Sequence, residues 1–498
     1  MTTSALLAAL LVGSFFHVNL GPEIKPPVSY DLPPAYIVEA SKDTLSSAVI
    51  SKDQYILSST PWWKEFNEPV LDKCIEEAFR SNRDLEMALA RVQQARSAFK
   101  ETKANQRPEL GAQLDVTRSK ILGNADGNIN ETNVLTGLGV VNYEADLWGK
   151  LQKGTRAAKE NLLATEAAKN SVRLSLASQV AKTYFSLRGA DKQLLIAKTT
   201  LQSQLATLEL MRLRYQHGKV SELDLRRSEA LAASSAVQTR ELEMTVSRYE
   251  NALLVLLGRE PKEFINKDIP RGVDLGELPK NPEIPNAVPA LTITQRPDIK
   301  QAEQNYKVAL ANIGSARAGQ YPSISFSGMI GTPSDDPSNL LTGPTGWSIG
   351  SQLFAPIFNS GKLSSRVKKA EAVAQEAWAQ YYKTVQISFQ ETVNAFTSKE
   401  KTSDVVTLLA KQEEAQARAY KLAYDQYQEG MTSQIELLDA ERQLLSVRLQ
   451  LEGSRADNLN STVDLCTALG GGWSWRAADD AEKRELPKPW ADKKKFSE

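Results

Sequence analysis

The chain has 498 residues, with 60 Lys and Arg against 60 Asp and Glu, so its formal net charge at pH 7 is zero. Nucleic-acid binding without sequence preference depends on an excess of basic residues, so this balance gives no support for a nucleic-acid-binding protein. Only two histidines, His17 and His217, and two cysteines, Cys74 and Cys466, are present. They are too few for a His/Cys metal site or a Cys/His catalytic dyad, and we expect both cysteines to be free core residues. No apolar run reaches the roughly 18 residues that a membrane-spanning helix needs.

The first 20 residues form a signal-like segment. Ala5–Phe16 is an apolar run with the length of a signal-peptide core, too short to span a bilayer. Met1–Ser4 carries no Lys or Arg, which a typical signal peptide has before its apolar core. Leu11–Gly13 resembles the start of a bacterial lipobox, but Ser14 stands where the lipidated cysteine belongs, so we expect no lipidation of the sequence as written. A buried apolar segment is the alternative interpretation.

One unit of about 212 residues occurs twice in the sequence. Residues 82–85 resemble residues 296–299, and Tyr215–Gly218 resembles Tyr427–Gly430 at an offset of 212 positions. Matching Gly, Pro and Ser residues at a nearly constant offset argue against chance similarity between two helical halves. The predicted organisation is a signal-like segment (1–20), an N-terminal extended segment (21–66), a first repeat (67–260), a Pro-rich connector (261–290), a second repeat (291–473) and a charged C-terminal tail (474–498).

The sequence of each repeat predicts a helix, two strands, a very long helix, a turn and a shorter helix after that turn, called the return helix below. In the first repeat the opening helix covers about 70–105. Strands follow at about 110–119 and 135–148, where apolar and polar residues alternate with period two. The second repeat has its strands at about 323–331 and 347–356. Each long helix has about 65 residues without proline, and the return helices have heptad-like apolar spacing, which indicates coiled-coil packing.

The four predicted strands each have one apolar and one polar face and a length of about nine or ten residues, which a tilted strand needs to cross a bilayer. Known outer-membrane barrels start at about eight strands, and an open sheet would leave edge backbone groups unpaired in lipid, so several chains must share one barrel. The alternative is a water-soluble sheet packed on helices. In the barrel, the loops 123–133 and 333–346 would be extracellular. The aromatic residues expected at the membrane interfaces are Tyr143, Trp148, Phe326 and Trp347.

Short motifs along nearly the whole chain carry a resemblance to a known family. They are Gly21–Pro22, Trp62–Trp63 with Phe66, Asn82–Leu85 followed by Ala90–Val92, Arg296–Ile299, and Ala468–Trp473. On this duplicated frame the sequence resembles the TolC-like outer-membrane efflux proteins, in particular the branch of NodT-type outer-membrane lipoproteins that serves resistance-nodulation-division pumps. The resemblance implies a mainly α fold with a membrane β-barrel, in which a homotrimer forms a 12-stranded barrel continued by an α-helical tunnel.

The function implied by this resemblance is that of a passive exit duct in a tripartite efflux pump. Small molecules would leave through it across the periplasm and the outer membrane of a Gram-negative bacterium. The implied partners are two further copies of the chain, a periplasmic membrane-fusion adaptor protein, an inner-membrane resistance-nodulation-division transporter and outer-membrane lipid. No nucleic acid, cofactor, metal or catalytic residue is implied. The alternatives are the exit duct of a type I protein-secretion system and, from a different class, a periplasmic coiled-coil adaptor or scaffold.

Two equivalent turns join each long helix to its return helix. Gly218 and Gly430 suit the left-handed position that follows a helix. Ser221 and Ser433 suit the N-cap of the return helix, and each has an acidic residue three positions later, which fits the spacing of a capping box.

In the resembled family these turns lie at the far tip of the tunnel, where the adaptor docks and the aperture narrows. The corresponding residues of this chain are Tyr215, Gly218, Ser221, Tyr427, Gly430 and Ser433. Glu436 and Asp439 align with the acidic positions that ring the aperture. Helix capping alone is an alternative role for Glu436, and a solvated surface charge is the alternative for Asp439.

Overall fold

The computed structural model describes residues 36–37, 61–122, 129–266, 269–272, 287–288, 295–334 and 345–471. The signal-like segment, most of both strand-connecting loops, most of the connector and the C-terminal tail lie outside these residues. The α-helices of the described ranges are α1 (Pro69–Ser81), α2 (Arg83–Ala104), α3 (Lys150–Gln216), α4 (Glu222–Leu257), α5 (Glu263–Asn266), α6 (Pro297–Ala318), α7 (Lys362–Gln428) and α8 (Gln434–Ala468). None of these helices is long and apolar enough to cross a bilayer.

The opening helix of the first repeat is broken at Asn82, so the expectation of one helix over 70–105 is wrong. α1 ends just before Asn82 and α2 begins just after it, with extended backbone between them. The side-chain oxygen of Asn82 accepts hydrogen bonds from the backbone N–H groups of Asp84 (2.9 Å) and Leu85 (3.1 Å). An asparagine that satisfies the first N–H groups of a helix favours a new start over continuation of the preceding helix.

The junction at Asn82 recurs in the second repeat with a different residue. The side-chain amide of Asn82 donates to the backbone oxygen of Leu256 at 2.9 Å, and the guanidinium of Arg296 donates to that of Ala468 at 3.1 Å. Leu256 and Ala468 are 212 positions apart, and they lie at the ends of the two return helices, α4 and α8. The duplication is therefore expressed in the packing of the chain as well as in its sequence.

Four long strands form one antiparallel sheet, and two short strands form a separate pair. In chain order the strands of the described ranges are β1 (Tyr36–Ile37), β2 (Glu109–Leu122), β3 (Ile129–Ala145), β4 (Ala287–Val288), β5 (Ser323–Ser334) and β6 (Gly346–Phe354). The four long strands have the order β2-β3-β5-β6, and the short strands β1 and β4 pair only with each other. Each repeat supplies one hairpin, and β3 and β5 join the two hairpins. The four predicted strands are thus present, with β2 and β3 extending further towards their loop than expected.

One face of this sheet is apolar and the other is polar, as the alternation predicts. Residues opposite each other share a face, and one apolar row consists of Leu110, Val141, Gly328 and Ile349. The next row, on the other face, consists of Glu109, Asn142, Ser327 and Gly350. Among the described residues this apolar face stays exposed to solvent: Leu110 is 78% exposed, Ile349 71% and Leu353 67%.

The chain divides into two compact units, each with its own core. The unit of Leu89–Ala168 and Lys300–Thr384 holds the sheet and a small core of Ala309, Ile313 and Ala374. The unit of Asp31–Ala88, Lys169–Ile299 and Val385–Glu498 holds the larger core, in which Phe66 packs on Phe185 with ring centroids 5.1 Å apart. Cys74 and Cys466 are buried free thiols of this core, which confirms the expectation for both cysteines.

Candidate functional site

The two turns after the long helices have the backbone that the sequence predicts. Gly218 has φ +67° and Gly430 has φ +72°, and a Cβ on either would meet nothing within 4 Å. In the first turn the N–H of Lys219 donates back to the oxygen of Arg214 at 2.8 Å, and in the second Met431 donates to Gln426 at the same distance. These bonds satisfy the last carbonyl groups of α3 and α7, so both helices end at open, glycine-containing turns.

The two return helices begin differently, although their first residues correspond. Ser221 caps α4, since its Oγ accepts from the N–H of Asp224 at 3.2 Å and donates to the Asp224 carboxylate at 2.7 Å. Ser433 has the same extended backbone but makes no side-chain capping bond, so the capping box expected for Ser433 and Glu436 is wrong. The Glu436 carboxylate instead accepts from the hydroxyl of the neighbouring Thr432.

Asp439 lies one turn further along α8 and pairs with a basic residue of the same helix. Its carboxylate accepts from the guanidinium of Arg442 and from the amide of Gln443, both at 2.6 Å. The pair is solvent-exposed, so the ionic contact is weak and exchangeable. Sequence reasoning missed Arg442, although a basic residue three positions after an acid on a helix is a readable signal for such a pair.

The two turns differ in charge. Residues 209–229, around the first turn, carry five Lys and Arg and four Asp and Glu. Residues 421–441, around the second turn, carry one Lys and five Asp and Glu. The second turn therefore carries the net negative charge, and it contains both acidic residues that the sequence singled out. Within the described ranges, no three His, Cys, Asp or Glu side chains are placed to hold a metal ion.

The two turns of one chain contact each other. The side-chain amide of Gln434, at the start of α8, donates to Ser228 Oγ on α4 at 2.7 Å and lies 3.5 Å from the backbone oxygen of Asp224. Gln434 is 7% exposed. Beside it, Tyr427 packs against a small apolar cluster of Leu208, Met211, Leu225 and Ala232. The sequence analysis did not predict this contact. The repeat does contain a signal for it, because the second repeat has the neutral amide Gln434 where the first repeat has the acidic Glu222.

Glu441, two residues beyond Asp439, is a half-buried acid without a basic neighbour equivalent to those of the first repeat. Its counterpart Glu229 pairs with Arg226 (2.9 Å) and lies 3.6 Å from Arg212. The second repeat has no basic residue at the two equivalent positions. Burial raises the pKa of Glu441 above its ordinary value of 4.5, and the neighbouring Gln204 amide lowers it by a smaller amount.

The sheet carries aromatic side chains at two levels. Near the helix-proximal end, Trp148 stacks on Tyr321 with centroids 5.0 Å apart, and its indole N–H donates to the backbone oxygen of Pro322 at 2.6 Å. Tyr143 stacks on its cross-strand partner Phe326 at 6.4 Å. Trp347 lies four positions further along the sheet, roughly 13 Å at 3.3 Å per residue, and is 70% exposed.

The sequence matches proteins of one family. A family model described as outer membrane efflux protein matches residues 74–259 and 288–471. The solvent efflux pump outer membrane protein SrpC of Pseudomonas putida is 32% identical over 424 residues, which cover 84% of this chain and 89% of that protein. The cation efflux system protein CusC of Escherichia coli is 31% identical over 418 residues, which cover 83% of this chain and 88% of that protein.

A solved structure has the same fold. The crystal structure of the CmeC outer membrane channel of Campylobacter jejuni matches with a TM-score of 0.84 and 25% identity, over 93% of this chain and 98% of that chain. Both relatives and this structure are named as efflux or channel proteins, and none of the three is named as an enzyme.

Proposed function

Because the chain belongs to the outer membrane efflux protein family, we propose that three copies of it close one 12-stranded barrel, to which each contributes β2, β3, β5 and β6. The resemblance to the TolC-like efflux proteins is confirmed, and the protein is an outer-membrane efflux channel. The observation that carries the shared barrel is the sheet itself. Its apolar face is exposed, and its edge strands β2 and β6 each have a neighbour on one side only among the described residues.

A barrel of this kind puts the apolar rows against lipid and the polar rows around water. The row of Glu109, Asn142, Ser327 and Gly350 would line the lumen, while that of Leu110, Val141, Gly328 and Ile349 would face acyl chains. The loops 123–133 and 333–346 would then be extracellular, because they join the strands at the end away from the helices.

The proposed partners are a periplasmic membrane-fusion adaptor and an inner-membrane resistance-nodulation-division transporter. No nucleotide-binding motif is present in the sequence, so the energy for export would come from the transporter. The adaptor would dock at the turns around Gly218 and Gly430, which present open backbone with space around each glycine. The substrates would be small molecules, since the relatives include a solvent efflux protein and a cation efflux protein.

We assign the aperture to the second turn, around Asp439 and Glu436. Three copies of this turn would bring three sets of acidic groups together, and a ring of carboxylates in a constriction attracts cations. Arg442 offsets part of this charge, because its guanidinium holds the Asp439 carboxylate at 2.6 Å. The aperture is therefore expected to be weakly rather than strongly cation-selective.

Cross-linking of the sheet edges tests the shared barrel. Ala112→Cys on β2 is combined in turn with Ile349→Cys, Ser351→Cys or Leu353→Cys on β6, all on the apolar face. Oxidation should join copies into covalent ladders that end at three chains, for at least one pair. Ser348→Cys lies on the opposite face of β6 and should not cross-link with Ala112→Cys. If all pairs fail, or ladders grow past three chains, the shared 12-stranded barrel is wrong.

A further inference from the structure

The connector that follows the first repeat is anchored on the long helix and the return helix of that repeat. It leaves α4 through Gly258, whose backbone is left-handed with φ +71°. Further along the connector, Ile269 is buried in the larger core. The guanidinium of Arg271 then binds Asp191 of α3 at 2.9 Å and Glu250 of α4 at 2.6 Å. A cation of the connector therefore meets two carboxylates of the helix pair.

The charged C-terminal tail (474–498) follows the second repeat in the same way. Gly470 stands 212 positions after Gly258 and is also left-handed, with φ +86°. At this offset residues 479–484 of the tail correspond to residues 267–272 of the connector. The tail therefore has the length to reach places on α7 and α8 that are equivalent to those of the connector on α3 and α4.

The charges of this anchor are exchanged in the second repeat. Ser403 of α7 and Thr462 of α8 replace the two carboxylates that bind Arg271, so the helix pair has no acid at these positions. The tail has gained acids instead. Where connector residues 267–270 contain one acid, the corresponding stretch of the tail contains three, which are Asp479, Asp480 and Glu482. Acids on the tail call for a cation on the helices.

Lys399 of α7 supplies such a cation. Its counterpart in the first repeat is Leu187, a fully buried core residue, so a charge has replaced an apolar side chain. The ammonium donates to the side-chain oxygen of Asn458 on α8 at 3.0 Å, and among the described residues it has no carboxylate partner. Burial lowers the pKa of Lys399 to about 8, because water is displaced from the ammonium and no anion takes its place. A carboxylate that docks beside Lys399 would compensate for this burial.

We propose that the acidic stretch 479–482 of the tail docks on α7 and α8 beside Lys399, in the way that the connector docks on α3 and α4. The occupant is the tail of the same chain, because the connector binds the helix pair that precedes it and because the charges are complementary. This self-docking concerns only the unit that holds the larger core. It does not depend on closure of the barrel, and it goes beyond the channel function.

Hydrogen exchange followed by mass spectrometry on the purified full chain tests the docking. Backbone amides of residues 476–486 should exchange about tenfold more slowly in the native protein than in the same chain unfolded in urea. Lys399→Met should abolish this protection, and so should joint neutralisation of the three acids by Asp479→Asn, Asp480→Asn and Glu482→Gln. The matched control is Lys401→Met, which removes an exposed lysine that pairs with Glu400 at 2.9 Å and should leave the protection unchanged.

Charge reversal separates docking from a general loss of structure. Lys399→Glu alone should abolish the protection, and addition of Asp479→Lys and Asp480→Lys should restore it, because attraction then runs in the opposite sense. A tail that exchanges at the unfolded rate in the wild type overturns the proposal. So does protection that survives Lys399→Met, or charge reversal that restores nothing.

A zero-length carbodiimide cross-link identifies the occupant. It should join the Lys399 amine to a carboxylate of residues 479–482, and on a denaturing gel the product should have the mass of one chain. A product with the mass of two chains would assign the docked tail to a second copy and overturn the self-docking.

Discussion

Replacing Gly258 with alanine should be far more harmful than the same change at Gly218, although the two glycines have nearly the same backbone. Gly258 has φ +71° and Gly218 has φ +67°, so each substitution has the cost of a left-handed alanine, about 1 kcal/mol. At Gly218 nothing lies within 4 Å of a new Cβ, so the cost ends there. At Gly258 a Cβ would lie 2.2 Å from the backbone oxygen of Ser81 and 2.5 Å from its carbon.

Relief of that clash requires the end of α4 to move away from the α1–α2 junction. Such a movement stretches the bond from the Asn82 amide to the oxygen of Leu256, now 2.9 Å, whose net value is about 1 kcal/mol. With the strain of displaced backbone, we expect Gly258→Ala to lower the free energy of unfolding by about 3 kcal/mol, against about 1 kcal/mol for Gly218→Ala.

Thermal unfolding followed by tryptophan fluorescence measures the difference, because Trp62 and Trp63 are buried in the same unit as Gly258. The two variants have the same composition, which makes them matched controls for each other. Equal melting temperatures for Gly258→Ala and Gly218→Ala would refute the reasoning, since backbone conformation alone would then account for both.

Three further predictions concern charged and thiol groups. Asp439→Ala leaves Arg442 at the aperture, so reversal potentials should shift away from cation selectivity; an unchanged reversal potential makes Asp439 a plain surface charge. Glu441→Gln should raise the melting temperature at neutral pH and not at pH 4, because the stability present with protonated Glu441 is lost as pH rises through its elevated pKa; equal gains at both pH values contradict this. Burial raises the pKa of Cys74 to about 11 and that of Cys466 to about 12, so neither should react with iodoacetamide at pH 8 before unfolding, and rapid labelling of the folded protein contradicts their burial.

The strands and long helices were predictable from the sequence, because their residue patterns extend over many positions. The alternation over residues 110–116 predicts β2 and its apolar face, and the lack of proline after Lys150 predicts the length of α3. Both signals are summed over many residues, so no single contact decides them. The glycine turns were predictable for a different reason, because the left-handed backbone at Gly218 and Gly430 is costly for other residues.

Features decided by competition between single hydrogen bonds were not predictable. Asn82 breaks a helix that the apolar period continues, because its side chain caps a new one. Thr432 takes the Glu436 carboxylate that the capping-box spacing assigned to the start of α8. The contact of Gln434 with Ser228 joins residues 206 positions apart, so no local pattern contains it. Each outcome depends on energies of about 1 kcal/mol, which sequence patterns do not rank.

The mass of the purified protein in mild detergent tests the central claim most directly. A four-stranded sheet with an exposed apolar face and two edge strands has to complete its barrel with other copies. Light scattering with correction for bound detergent should give a protein mass three times that of one chain, at every concentration that is stable. A monodisperse species with the mass of one chain would contradict the shared barrel and the channel built on it.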